Sequence, residues 1–215
     1  MLRSCAFALL LSLSIAAQAQ ELRLPFEGRW FVAQGGDTIN VNHHMAVQAQ
    51  WYGIDFVKTG GEGGRELASV AQPSKLEHFH GWNAPVLAPV PGRIVAVVDG
   101  LPDNPLGQKD PRNPAGNHVV IATAQGTYVF LGHLRKGTVA VKKGDEVKPG
   151  QPLGRVGNSG NSDFPHLHLH VQDGPVLNEG RGLNPVFADM DVELTGKKFE
   201  GVAWPLIRGL FVQAR

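Results

Sequence analysis

Glycine and proline divide this chain of 215 residues into short segments, and this division constrains the fold more than any other feature of the sequence. The chain contains 27 glycines and 15 prolines. Both residue types form turns, because glycine adopts positive φ at no steric cost and proline fixes φ. Between these breaks no run with helical periodicity reaches a useful length. We therefore predict a mostly β fold whose short, antiparallel strands form a core between a sandwich and a barrel.

The apolar runs and the turn residues between them predict where the strands lie. Residues 58–80 are rich in glycine and residues 101–116 in proline, so both are predicted to be long surface loops. Gln125-Gly126 marks the turn of a predicted hairpin. Strands are predicted at residues 52–57, 85–88, 93–98, 117–122, 127–131 and 164–171, with further short strands between 139 and 156.

The N-terminus has the pattern of a secretory signal peptide over residues 1–19. Arg3 provides a positive charge, Ala6 to Ala17 form a short apolar stretch, and Ala17-Gln-Ala19 is a small-x-small cleavage pattern. We therefore expect a periplasmic or secreted protein. The single cysteine, Cys5, lies inside this segment, so the mature chain has no disulfide and no thiolate metal ligand.

The rest of the chain divides into one domain with two extensions. We predict an N-terminal extension at 20–40, one folded domain at 41–187 and a C-terminal extension at 188–215. The formal net charge is +1 and the chain has no polybasic run, which gives nucleic-acid binding no electrostatic support. No later apolar segment is long enough for a stable membrane anchor after signal cleavage.

Three histidines alternate along one predicted strand, in the segment Pro165-His-Leu-His-Leu-His-Val171. Side chains alternate between the two faces of a strand, so His166, His168 and His170 share one face. Such a row needs partners for its ring nitrogens, and histidine is the commonest nitrogen ligand of zinc. A solvated strand face is the alternative interpretation.

A zinc hydrolase needs about three protein ligands and an open position for water, so further candidates are required. Asp55 interrupts an otherwise apolar strand, where a buried charge should be paired or metal-bound. His43 and His44 lie eleven or twelve residues upstream, and either can reach the same metal. His133 ends a predicted strand, although a solvated turn histidine is the alternative there.

Four segments of the chain resemble the M23 family of zinc metallopeptidases, of the lysostaphin and LytM type. Together they extend in order over residues 52–171, and the combination is more specific than any one segment. The segments are Tyr52-Gly-Ile-Asp-Phe56, Ala84-Pro-Val-Leu-Ala-Pro-Val-Pro-Gly-Arg-Ile-Val95, the run from Gly132-His-Leu to Gly154, and Gly157-Asn-Ser-Gly-Asn-Ser-Asp-Phe-Pro-His-Leu-His168.

The resemblance implies a role for each matching residue. Asp55 and His168 match metal ligands, while His133 and His166 match two catalytic histidines that do not bind the metal. The usual first histidine is replaced by Trp51, which cannot ligate zinc. The triplet Asn42-His43-His44 resembles a family variant with an upstream Asn-x-His, and on that pattern we predict His44 as the missing ligand rather than His43.

The resemblance implies an exported zinc endopeptidase that cleaves the peptide cross-links of bacterial peptidoglycan. Four of the five functional positions are present, and the fifth has a nearby substitute. A non-catalytic relative that activates a cell-wall amidase is the main alternative. A lipoyl or biotinyl carrier module is disfavoured, since no lysine occupies a tight hairpin tip. The family often has Glu where this chain has His170, and the sequence leaves its role open, together with the bond cleaved and the oligomeric state.

Overall fold

The protein is described by a computed structural model of residues 20–215, so the predicted signal peptide and Cys5 lie outside the described residues. The mostly β fold is confirmed. Within the described chain every helix is a short 3₁₀ helix, and none is long and apolar enough to cross a membrane. These 3₁₀ helices are His43–Ala46, Gln48–Gln50, Glu62–Gly64 and Leu76–His78.

Short strands occur throughout residues 20–215, as the spacing of glycine and proline predicts. They are β1 (Glu21–Leu22), β2 (Arg29–Gln34), β3 (Ile54–Lys58), β4 (Pro85–Leu87), β5 (Gly92–Val98), β6 (Asn117–Ala122), β7 (Tyr128–Leu134), β8 (Glu146–Val147), β9 (Pro152–Arg155), β10 (Leu167–Gln172), β11 (Gly182–Leu183), β12 (Val186–Leu194), β13 (Lys197–Trp204) and β14 (Phe211–Ala214).

Most of these strands belong to one large sheet, in the order β1-β12-β14-β2-β3-β10-β7-β6-β5-β8, with β11 beside β10 and β13 beside β12. Its pairs are antiparallel apart from the short parallel pair of β1 with β12. The predicted hairpin is confirmed as the antiparallel pair β6–β7. Strands β4 and β9 form a second, two-stranded sheet, and its residues Val86 and Leu153 join the same hydrophobic core.

The two ends of the described chain meet in this sheet. Strand β14 pairs with β2, and β2 pairs with β3, so β2 lies directly beside the strand that carries Asp55 and β14 lies one strand further away. Phe26 stacks on Trp30 with ring centroids 4.3 Å apart and meets Phe56 edge-on at 5.0 Å. Burial of such rings contributes on the order of 1.5–3 kcal/mol per side chain. The shape of these terminal segments is not evident from the sequence.

The centre of the sheet determines where the polar residues come together. Strand β10 lies between β3 and β7, and its register places His168 opposite both Asp55 and Gly132. Leu167 and Leu169 point into the core with no exposed surface. The alternation of the strand therefore leaves its histidines on the other face, where β3 and β7 also contribute side chains.

Candidate metal centre

The carboxylate of Asp55 lies at the centre of a group of buried imidazoles. Its Oδ1 atom is 2.9 Å from Nδ1 of His168, 3.0 Å from Nε2 of His44 and 3.7 Å from Nε2 of His166. All four residues are buried, and Asp55 is only 6% exposed. The alternative of a solvated strand face is therefore wrong for this row of histidines. One anionic oxygen surrounded by nitrogen ligands is the arrangement expected of a cation site.

His44 reaches Asp55 because Asn42 fastens its backbone to the neighbouring strand. The fully buried Asn42 side chain accepts a hydrogen bond from the His44 N–H at 3.2 Å and so caps the 3₁₀ helix. Its Nδ2 donates to the carbonyl oxygens of Gly36 at 2.8 Å and Gly53 at 3.1 Å. Gly53 directly precedes β3, so these bonds hold the segment carrying His44 against the strand carrying Asp55.

Gly53 permits the close approach of the two histidines to this strand. A Cβ atom at this position would lie 3.0 Å from the Gln50 carbonyl oxygen, 3.1 Å from the ring of His44 and 3.2 Å from the ring of His168. These distances are shorter than ordinary van der Waals contacts between such atoms. This crowding explains why the Gly-x-Asp pattern has glycine at its first position.

The donor set fits a zinc ion. His44 Nε2 is buried and, although it is 3.0 Å from the Asp55 oxygen, it has no hydrogen-bond partner anywhere in residues 20–215. His43, His44 and Asp55 have ligand atoms within 4.8 Å of one another. Nitrogen and carboxylate oxygen are common zinc ligands. Trp51 does not ligate; its Nε1 donates to the Met45 carbonyl at 3.1 Å and supports the same segment.

The protonation states of Asp55 and His168 suit metal binding. Burial raises the pKa of Asp55, but His44, His166 and the contact with His168 outweigh it, and the pKa lies well below its usual value. Burial lowers the pKa of His168 to about 3, with His44 adding to the effect. An ionised carboxylate and a neutral imidazole are the forms that ligate metals.

His133 and His166 lie side by side in the same cleft, with ring centroids 4.6 Å apart. His133 Nδ1 lies 2.8 Å from the Ser159 carbonyl oxygen, and His166 Nδ1 lies 2.9 Å from that of Phe164. A carbonyl only accepts, so each Nδ1 carries the hydrogen and donates it. In a neutral ring Nε2 then keeps its lone pair. Burial lowers the pKa of His133 well below its usual value and keeps that ring neutral.

These side chains line a cleft of about 550 Å³. The lining includes the segment that carries His43 and His44 and part of the proline-rich loop, with Lys109 and Pro114. Lys109 forms an ion pair with Asp163 at 2.8 Å. The predicted surface loop at 101–116 is thus part of the cleft.

The other histidines differ in where they lie relative to the cleft. His118 also lines the cleft, and its Nδ1 lies 2.8 Å from the Gly116 carbonyl oxygen. His78 and His80 are not among the residues lining the cleft. His170 stacks on Phe130 with ring centroids 4.6 Å apart, and its Nε2 lies 3.1 Å from the amide oxygen of Gln172. The sequence analysis missed Gln172, although it continues the two-residue period of the strand.

Comparison with known proteins identifies the family. Residues 78–185, about half of the chain, match the family model described as peptidase family M23. The chain belongs to peptidase family M23. The matched range contains His133, His166 and His168, while His44 and Asp55 precede it.

The sequence identity between this M23 peptidase and individual similar proteins is modest. It is 34% identical over 86 residues to the peptidoglycan DD-endopeptidase ShyA of Vibrio cholerae, a match that covers 40% of this chain and 18% of ShyA. A zinc-containing peptidase from Vibrio cholerae has 22% identity and a TM-score of 0.44, over 77% of this chain and 39% of that chain. The catalytic domain of lysostaphin from Staphylococcus simulans has 24% identity and a TM-score of 0.37, over 51% and 79%. The chain thus spans less than half the length of both Vibrio proteins.

The structure brings all five predicted site residues into this cleft: His44, Asp55, His133, His166 and His168. Of the two upstream histidines, His44 is buried and touches the Asp55 carboxylate, whereas His43 is exposed and its ring is tilted against that of His44, with ring centroids 4.1 Å apart. Their division into ligands and catalytic residues stays a prediction.

Proposed function

We propose that this M23 peptidase is an exported zinc endopeptidase that cleaves peptide cross-links of bacterial peptidoglycan. In this proposal His44, Asp55 and His168 hold the zinc. The observation that carries it is the buried Asp55 oxygen shared by His44 Nε2 and His168 Nδ1, with no hydrogen bond to satisfy His44 Nε2 within the described chain.

The chain's own residues supply proton transfer beside this site. A bound zinc ion acts as a Lewis acid and lowers the pKa of a coordinated water to about 7. His133 offers a neutral Nε2, because burial lowers its pKa and its Nδ1 donates to the Ser159 carbonyl oxygen, and the Nδ1 of His166 likewise donates to the Phe164 carbonyl oxygen. Either Nε2 can accept a proton from water and afterwards donate a hydrogen bond to the developing oxyanion. One such donor is worth on the order of 10²–10³ in rate.

Two observations support the substrate and the location. ShyA, with which the chain shares 34% identity over 86 residues, is a peptidoglycan DD-endopeptidase. The signal peptide predicted at residues 1–19 indicates export from the cytoplasm. Peptidoglycan lies outside the cytoplasm.

The test combines zinc content with the release of peptides from purified peptidoglycan sacculi. We expect one zinc per wild-type chain, and we expect His168→Ala to lose both the zinc and the activity. His133→Gln should keep the zinc but lower kcat by a factor on the order of 10²–10³. A wild-type protein that binds no zinc overturns the proposal.

The alternative, a non-catalytic activator of a cell-wall amidase, gives a different result in the same assay. It predicts zinc binding without cleavage of any muropeptide by the wild-type chain. The presence of all five predicted residues in one cleft favours the peptidase.

A further inference from the structure

His170 and Gln172 on β10 connect the predicted ligand His168 to the loop at residues 174–179. His168 Nε2 lies 2.8 Å from His170 Nδ1, and His170 Nε2 lies 3.1 Å from Gln172 Oε1. The three residues alternate along the strand, so their side chains share one face. All are buried, with exposures of 5%, 1% and 0%. Water therefore does not take part in these contacts.

The orientation of the Gln172 amide is fixed by its surroundings. Its Nε2 lies 2.7 Å from the carbonyl oxygens of Gly174 and Val176 and 2.9 Å from that of Glu179. Carbonyl oxygens only accept, so the NH₂ group must face them and the amide oxygen must face His170. The opposite orientation would place an oxygen against three oxygens in a buried site.

This orientation determines which nitrogen carries the hydrogen on each ring. The Gln172 oxygen only accepts, so His170 must donate from Nε2. A neutral imidazole has one N–H, and His170 Nδ1 is then an acceptor. His168 must therefore donate from Nε2, which leaves a lone pair on its Nδ1.

A count of protons locates where a cation is needed. Three contacts connect Asp55, His168, His170 and Gln172, but two neutral rings supply only two N–H groups. The contact without a hydrogen is that between His168 Nδ1 and Asp55 Oδ1, which are 2.9 Å apart. A lone pair and a carboxylate oxygen at this distance repel each other unless a proton or a metal ion lies between them. With one N–H on each ring, a metal ion held by His168 Nδ1 and Asp55 would take the place of that proton.

We propose that Gln172, acting through His170, is a positioning residue that fixes the tautomer of His168 and presents its Nδ1 to the metal. The inference rests on the proposed function, since it assumes that His168 ligates zinc. Outer hydrogens of metal-bound histidines are usually held by a carboxylate, a carbonyl or water. Here a second histidine takes that place, and its ring is held flat against Phe130 at an interplanar angle of 9°.

The test compares two variants of the full mature chain by zinc affinity, measured in competition with a chromophoric chelator. Gln172→Met keeps the side-chain length but removes the acceptor, and we expect the zinc Kd to rise 10–100-fold. Asp173→Ala is the matched control, because it removes the Asp173 Oδ1 that accepts the Arg181 N–H at 2.7 Å, a bond in the same loop that does not involve the Gln172 side chain. We expect the control to keep the wild-type Kd.

A second measurement reads the tautomers directly, by long-range ¹H–¹⁵N correlation NMR of the full mature chain with and without zinc. We expect His170 of the wild type to carry its hydrogen on Nε2 in both states. We expect the zinc-free Gln172→Met variant to populate both tautomers, because a zinc ion on His168 Nδ1 would by itself fix the hydrogen of His168 on Nε2. A wild-type His170 with its hydrogen on Nδ1 overturns the inference even if the variant fails to fold.

The two proposals fail in different ways. An unchanged Kd in Gln172→Met overturns the role of Gln172 alone, provided that the wild type binds zinc and cleaves sacculi. An equal loss of affinity in Asp173→Ala also overturns it and shows that the loop, not the tautomer, matters. A wild-type chain without zinc affinity overturns the proposed function together with this inference.

Discussion

Trp51 stands at the position that the resemblance to M23 peptidases gives to their first histidine, and the site that we propose takes its ligand from elsewhere. Its indole nitrogen donates to the Met45 carbonyl and holds the turn that follows His44. The ligand position is then available to His44, whose Nε2 is 3.0 Å from Asp55 Oδ1. The tryptophan thus supports the backbone near the ligand that we propose in its place.

Zinc binding by single variants distinguishes the two upstream histidines. We expect His44→Ala to raise the zinc Kd by at least 10–100-fold, which is the loss of affinity when a residue that supports a metal ligand is removed. The exposed neighbour His43 is the matched control, and His43→Ala should retain the wild-type Kd. Chelator competition measures both. A loss of affinity confined to His43→Ala would contradict the assignment of His44.

At the scale of elements, the short 3₁₀ helix at His43–Ala46 is held mainly by one buried side chain. Asn42 caps it and bonds it to the backbone on both sides, at Gly36 and Gly53. A helix of this length has little stability of its own. The position of His44 therefore depends on Asn42 more than on the helix.

Replacing Asn42 by alanine is expected to lower the free energy of unfolding by about 1–3 kcal/mol, because two buried carbonyls and one N–H lose their partner. Zinc affinity should fall with it, since the bond to Gly53 sets the distance between His44 and Asp55. Urea unfolding and chelator competition measure the two effects. Gln48→Ala, at an exposed position four residues after His44, is the control and should change neither.

At the scale of the whole molecule, buried histidines make stability depend on pH. Burial lowers the pKa of His118 and His133, and it lowers the pKa of His170 to about 3, from an ordinary value of 6.5. Above pH 6.5 these rings are neutral in both the folded and unfolded states. Below it the unfolded chain takes up protons that the folded chain does not, so stability falls as pH falls.

We therefore expect the free energy of unfolding to decrease between pH 6.5 and pH 5, by up to about 1.4 kcal/mol per pH unit for each such histidine. Urea unfolding with a chelator present measures it without a contribution from zinc release. The pKa of Asp55 is lowered, so its contribution is present above about pH 3.8 and is lost only at lower pH. His118→Gln should make the slope shallower, and an unchanged slope would argue against its burial as the cause.

The sequence alone determined the local patterns. Glycine and proline spacing predicted short strands, and the alternation of His166, His168 and His170 placed these side chains on one face, because the period of a strand does not depend on its neighbours. The family motifs further identified Asp55 and His133 as candidates. These predictions concern residues whose relation is set within a few positions of the chain or by a recognisable motif.

Only the tertiary structure decided which side chains meet. The register of β10 against β3 places His168 opposite Asp55, 113 residues earlier in the chain. Asn42 brings His44 to the same oxygen, and the carbonyls of the 174–179 loop orient Gln172. The pairing of β14 with β2 likewise joins the two ends of the described chain. Contacts of this kind depend on packing and register across the sheet, which no local pattern in the sequence specifies.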